Sequence, residues 1–175
     1  MSARIFLVRH PAIAGGEGRC YGALDLPLAA PVGDSTAKIR ARLPPRFQIW
    51  SSPLQRCRAL AETLAESSEV HIHPGLREMN FGAWEGLLWA DIPRAELDAW
   101  AADIAGFQPP GGESARAMQA RALTALREIR ATPSTLPQVC VTHAGVIRAL
   151  LAAKHELPPA EWLNIRPDYG EVARL

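Results

Sequence analysis

The sequence predicts an α/β fold with a mainly parallel sheet and helices on both faces. Short apolar runs near 4–9, 47–51, 69–73 and 138–143 alternate with segments of helical period near 34–43, 53–66, 91–105, 114–131, 144–155 and 159–163, the pattern that βα units leave in a chain. The runs at 5–8 and 139–141 are continuously apolar, as in strands covered on both faces. At 175 residues the chain is sized for one domain with a substantial core. Residues 1–175 are read that way, without internal repeat or low-complexity linker.

Ile5-Phe6-Leu7-Val8 forms the first strand and ends in Arg9 and His10. Open parallel sheets deliver functional groups beyond the carboxyl ends of their strands. Gly15, Gly16 and Gly18 follow; such a loop either brings its backbone up to an anion or is simply flexible. Phe47-Gln48-Ile49-Trp50 is the second strand. Ser52 is placed as N-cap and Pro53 as first residue of the next helix. That puts Arg56 in the first turn, beside free N–H groups and the positive end of the helix dipole. His71 and His73 alternate in the third run and share a face; without a third ligand close by in sequence they read as exposed rather than metal-binding.

Residues 76–113 interrupt the alternation. They hold an acidic amphipathic helix, with Asp91, Glu96 and Asp98 as its solvated face, and a local apolar cluster of Trp84, Trp89 and Trp100. Packing is the first role for each tryptophan, with stacking of an organic group on Trp84 as an alternative. The segment has the length of an insertion over the mouth of a site. In the helix at 114–131, Met118, Leu123 and Leu126 face inward, and Arg116, Arg121, Arg127 and Arg130 form the polar side. Val139-Cys140-Val141-Thr142 is the last strand of the alternation, ends in His143 and leads into Ala144-Gly145. His155 closes the following helix.

Composition excludes several classes of function. The net charge is +1, which implies neither nucleic acid nor an anionic membrane as partner. No apolar run approaches the length of a membrane span and no signal peptide is evident, so a cytoplasmic location is expected. Cys20, Cys57 and Cys140 are three and far apart, which fits neither a disulfide framework nor a Cys-x-x-Cys metal site; Cys140 reads as a small core residue.

Two strands that each deliver a histidine point to a site in which the imidazoles face one another. Arginine beside them points to an anionic substrate, most simply a phosphate. Four segments then carry a family resemblance: Leu7-Val8-Arg9-His10, Ser51-Ser52-Pro53-Leu54-Gln55-Arg56, Leu76-Arg77-Glu78-Met79-Asn80-Phe81-Gly82-Ala83-Trp84-Glu85-Gly86, and Val141-Thr142-His143-Ala144-Gly145. In this order they resemble the histidine phosphatase superfamily, the phosphoglycerate-mutase-like proteins, in its small bacterial branch. Cys20-Tyr21-Gly22-Ala23-Leu24-Asp25-Leu26-Pro27-Leu28 and the ending Tyr169–Leu175 are similar to the α-ribazole phosphatases of cobalamin synthesis. The resemblance implies a three-layer α/β/α architecture with an antiparallel edge strand, which 171–175 supplies. The family opens with Arg-His-Gly followed by a threonine and an asparagine. Here Pro11 follows His10, and 12–18 contain neither, so a phosphate contact from that amide or that asparagine has no counterpart.

The chemistry expected is phosphomonoester hydrolysis without a metal or other cofactor. A neutral His10 attacks phosphorus and holds a phosphohistidine. Arg9, Arg56 and His143 surround the phosphoryl oxygens, His143 as a cation. Glu78 stands where the resemblance places the family's proton donor, and a carboxyl in a partly closed apolar pocket suits that task; taken alone, it would pair with Arg77 or another arginine. The partner is a small phosphate ester, with α-ribazole 5′-phosphate preferred; oligomeric state is left open. Competing readings are a cofactor-dependent phosphoglycerate mutase, a phosphatase of protein phosphohistidine, and a catalytically silent phosphate-binding protein on the same fold.

Overall fold

The computed structural model describes residues 4–175, apart from the side chain of Asp34. The strands are β1 (Ile5–Arg9), β2 (Gln48–Ser51), β3 (Val70–Ile72), β4 (Gln138–Thr142) and β5 (Val172–Arg174). They form one sheet in the order β3-β2-β4-β1-β5. The first four are parallel; β5 runs antiparallel to β1, pairing Val172 with Val8 and Arg174 with Phe6. This is the expected architecture, edge strand included. Among the described residues no helix is long and apolar enough to cross a membrane.

The side-chain alternation of the strands divides the core between two faces. Val8, Ile49, Val139 and Val141 pack under α1 (Gly33–Arg40) and α2 (Gln55–Ala65), against Ile39, Leu60 and Leu64. Ile5, Leu7 and Cys140 face α4 (Ala115–Ala131) and α5 (Ala144–Lys154), against Met118, Leu126, Ile147 and Leu150. Every residue of β4 is buried, as befits the central strand. Each fully buried aliphatic side chain contributes about 1.5–3 kcal/mol, and slipping β1 by one residue would turn both sets the wrong way. The register Arg9↔Thr142 is therefore firmly held, and it brings the ends of β1 and β4 level.

Several boundaries move from the sequence reading. α2 begins at Gln55, with Leu54 in extended conformation before it. Pro53 lies outside the helix; Ser52 Oγ accepts from Leu54 N at 3.3 Å, so it caps the turn that precedes the helix. The helix expected at 91–105 is α3 (Arg94–Ala102): Pro93 sets its start, and Asp103 ends it, its carboxylate accepting from Gly106 N at 2.9 Å. The helix expected at 34–43 stops at Arg40. Residues Pro159–Asn164 form a 3₁₀ helix. His73 lies just past β3; its Nδ1 accepts from Gly75 N at 3.1 Å and its Nε2 lies 2.8 Å from Glu128, while His71 stacks on Trp50. They are partly buried rather than exposed. Segment 76–113 builds a third cluster in which Cys20, Trp84 and Ile92 are buried beneath Trp89, Trp100 and Phe107.

Candidate active site

Arg9 and His10 leave the end of β1, and His143 leaves the end of neighbouring β4 as the residue before α5. A backbone hydrogen bond from His10 N to Thr142 O (3.1 Å) extends the ladder to this point. The rings of His10 and His143 therefore meet edge to face, with centroids 5.2 Å apart. Both side chains are buried, as is Arg56.

Hydrogen bonds assign the protons. His10 Nδ1 lies 2.7 Å from the Pro11 carbonyl, which accepts only, so Nδ1 carries the hydrogen and Nε2 keeps a free lone pair. Pro11 thus supplies what orients the ring; the amide it lacks is not used for this. Arg56 Nε donates to His143 Nδ1 at 3.3 Å, leaving the hydrogen on His143 Nε2, which donates to Ser52 Oγ at 2.8 Å. Burial, then the cations of Arg56 and Arg9 against the favourable bond to Pro11, brings the His10 pKa down to about 3. Burial first, then His10, Arg56, Arg121 and Arg9, holds His143 well below the ordinary imidazole range. Burial among arginines thus disfavours the charged form of His143, so the cation expected beside phosphoryl oxygens would draw its stabilisation from them.

Arg56 is fixed from behind. Its Nη1 donates to Leu24 O at 2.8 Å and its Nη2 to Gly22 O at 2.6 Å, and Asp25 lies 3.5 Å away. With the longer bond to Asp25 and the bond to His143 counted, one of its five N–H groups, on Nη2, remains for another acceptor. The carbonyls are held by Glu85, whose carboxylate accepts from Gly22, Ala23, Leu24 and Phe81 N–H groups at 2.8–3.0 Å. Arg9 Nη1 donates to Pro167 O at 2.7 Å, while its Nε is buried with no acceptor among the described residues.

Glu78 accepts from Met79 N at 3.0 Å and from Gly145 N, in the first turn of α5, at 2.9 Å. It pairs with neither Arg77 nor any other arginine among the described residues. Thr142 Oγ1 donates to Leu76 O at 2.7 Å, and Arg121 donates to the carbonyls of Gly75, Arg77 and Glu78 and to the Glu113 carboxylate. Arg121 is thus a clamp on the backbone around Glu78, not a member of a solvated face.

Of these groups, Arg9, His10 and Glu78 line a cavity of about 230 Å³, while Arg56 and His143 lie behind its lining. Met79, Phe81, Trp89, Trp100 and Trp162 supply apolar wall, and Tyr21, Arg19 and Arg148 also line it. Gly15, Gly16 and Gly18 do not line it. Gly16 packs on Ile13 and Tyr21, and Gly15 and Gly18 turn the chain at positive φ. Trp84 is also absent from the wall: it is buried, and its Nε1 donates to Glu96 at 2.6 Å, so Glu96 is a partner for that indole and not part of a solvated surface.

Sequence reading missed Ser52 as the His143 partner, Cys57, whose Sγ lies 3.4 Å from His143 Nε2, and Arg148, whose Nε donates to Ile165 O at 2.9 Å. Each sits within a segment already singled out, but its direction depends on where α2 and α5 start.

A parallel sheet with this corner of histidines and arginines defines a phosphoryl-handling enzyme of phosphoglycerate-mutase-like fold. Residues 5–175 match the histidine phosphatase superfamily, branch 1, and the chain belongs to that superfamily and is a phosphatase. It is 34% identical over 177 residues to a glucosyl-3-phosphoglycerate phosphatase of Mycobacterium tuberculosis, covering 91% of this chain and 78% of that protein. It is 29% identical over 175 residues to an adenosylcobalamin/alpha-ribazole phosphatase of Salmonella typhimurium, covering 95% and 87%. Among solved structures, a phosphoglycerate mutase from Thermus thermophilus superposes with a TM-score of 0.77 at 34% identity, over 98% of this chain and 92% of the other.

Proposed function

We propose that the protein hydrolyses small organic phosphate monoesters through a phosphohistidine on His10, and that α-ribazole 5′-phosphate is its substrate. The observation that carries the mechanism is the His10 tautomer: Nδ1–H is tied to the Pro11 carbonyl at 2.7 Å, so Nε2 meets the phosphorus with its lone pair. Nε2 attacks and the P–O ester bond breaks. Arg9, Arg56 and His143 hold the equatorial oxygens through the transition state. A phosphate dianion beside His143 favours its protonated form. Protonated Glu78 gives its hydrogen to the leaving alkoxide. The resulting carboxylate then takes a hydrogen from water, whose oxygen attacks phosphorus and breaks the P–N bond. Phosphate leaves, and His10 and Glu78 return to their starting forms. No step draws on a metal. Residues 1–175 act as one domain, with 76–113 covering the reacting groups.

The aromatic wall formed by Phe81, Trp89, Trp100 and Trp162 suits a planar heteroaromatic group, and binding energy gained there is available to the reacting centre. The similarity to the alpha-ribazole phosphatase, over most of both chains, supports the same choice. Arg19 and Arg148 in that wall favour a second reading, an ester that carries a carboxylate, such as glucosyl-3-phosphoglycerate.

Steady-state assays with chelator present compare kcat/KM for α-ribazole 5′-phosphate, glucosyl-3-phosphoglycerate and 3-phosphoglycerate on one preparation. The first is expected to be highest. A clear preference for glucosyl-3-phosphoglycerate moves the substrate to the second reading, and transfer to a second sugar acid instead of water marks a mutase. His10→Ala is expected to abolish turnover, and an alkaline quench of wild type to trap phosphate on His10. Turnover by the alanine variant refutes the mechanism.

A further inference from the structure

Two phenols stand at the mouth of this corner without a role so far. Tyr21 follows the glycine-rich loop and lines the cavity; Tyr169 lies in the tail that leads into β5. Their hydroxyls are 3.0 Å apart. The Tyr169 ring lies on the Arg9 guanidinium, 3.8 Å from Cζ to centroid, and 5.7 Å from the His10 ring. The Tyr21 ring lies 5.7 Å from Arg56 Cζ. The pair thus spans the two cations and the nucleophile.

Two hydroxyls own two hydrogens, and their mutual bond uses one. The second has no acceptor among the described residues. Tyr21 is the hydroxyl on the cavity side, so the bond that satisfies the pair and serves a ligand runs from Tyr169 O–H to Tyr21 O.

We propose that Tyr21 is a phosphate-binding residue: Tyr169 donates to the Tyr21 oxygen, and the Tyr21 hydroxyl donates to a phosphoryl oxygen held between Arg9 and Arg56. Tyr169 is then a positioning residue that fixes the Tyr21 rotor and covers Arg9. This rests on the reading of His10 and its neighbours as the phosphoryl site. Residues 12–18 contain no hydroxyl or amide side chain, and Tyr21 supplies one from the next turn of chain. Burial pushes the Tyr21 phenol up to about 12, so it remains a donor at any working pH.

The test compares wild type with Tyr21→Phe, Tyr169→Phe and the double variant. It measures inorganic phosphate as competitive inhibitor, kcat and KM, and the thermal midpoint. Phenylalanine keeps the ring contacts, so all midpoints are expected to stay at the wild-type value. Phosphate is expected to bind about tenfold more weakly to Tyr21→Phe, the loss of one hydrogen bond to a charged acceptor, and about threefold more weakly to Tyr169→Phe, where the donor survives unaimed. The double variant is expected to match Tyr21→Phe, because the second residue acts only through the first. Wild-type phosphate affinity in Tyr21→Phe overturns the proposal. So does a double variant that loses the product of the two single effects, or an affinity loss that merely follows lowered midpoints. His10→Ala is the control: turnover there sinks the underlying site reading whatever the tyrosine variants do.

Discussion

Replacing Gly145 by alanine separates the position of Glu78 from the stability of the fold. The Gly145 N–H donates to Glu78 Oε2 at 2.9 Å. A β-carbon at position 145 would collide with Glu78 Oε1 and stand 3.0 Å from Cδ. Restoring an ordinary carbon contact of 3.5–4.0 Å drives the carboxyl back by roughly 0.5–1 Å. Glu78 yields because its carboxyl is the free end of a flexible side chain. Gly145 is the second residue of α5, where alanine gains at most part of its helix-interior advantage of about 0.5–1 kcal/mol over glycine, so the thermal midpoint is expected to hold. A displacement of that size at a reacting group costs on the order of 10²-fold, within the range of a general acid's contribution. The assay is kcat/KM for an alkyl phosphate and for an aryl phosphate with an acidic phenol, measured side by side. The alkyl ester is expected to lose about 100-fold and the aryl ester less than about threefold, since a good leaving group needs little proton. Equal losses on both substrates, or none on either, refute the assignment of Glu78 as proton donor.

Three further outcomes follow from the same geometry. His10 at about 3 against 6.5 when unfolded means that the unfolded chain binds the extra proton; stability is full above pH 6.5 and falls with pH toward 3, by about 2 kcal/mol between pH 7 and 5 for this residue. Urea titrations at the two pH values measure it, and His10→Ala is expected to flatten the dependence; an unchanged slope refutes the burial argument. Glu85→Ala strips four backbone N–H groups of their acceptor and is expected to cost about 2–4 kcal/mol and to weaken inorganic phosphate binding through Arg56; unchanged phosphate affinity in a destabilised variant breaks that link. Trp84→Phe removes the donor to Glu96 and is expected to lower the thermal midpoint while KM stays within about twofold; a large KM increase would bring Trp84 into the substrate wall.

The fold was legible because β1 and β4 carry the uninterrupted apolar runs 5–8 and 139–141 and α4 carries its inward residues at helical spacing behind the Ser114 cap, whose Oγ accepts from Ala117 N at 3.2 Å. Strand ends then locate Arg9, His10 and His143. The start of α2 was not legible: Ser52-Pro53 reads as a helix entry, but Leu54 is extended and the helix begins at Gln55, while the Ser52 hydroxyl accepts from Leu54 N and from the distant His143 as well. Glu96, Arg121 and Glu85 look like surface charges because nothing in the chain announces the indole or the backbone groups that they bind across 12, 43 and 63 positions. The downward shift at His143 was hidden for a related reason: its ordinary titration range presumes water around it, and burial is a property of the assembled layers.

The in-register pairing of Arg9 with Thr142 has an evolutionary corollary. The distance between the two imidazoles is set by the ladder between adjacent strands, so it takes discrete values: a shift of one residue changes it by a whole strand step and reverses the faces. The loops and the 76–113 segment surround the two histidines without setting their spacing, so substitutions there would leave the imidazole geometry as the ladder fixes it. On the function proposed above, such a scaffold would let the organic half of a substrate be exchanged while the phosphoryl half stayed the same.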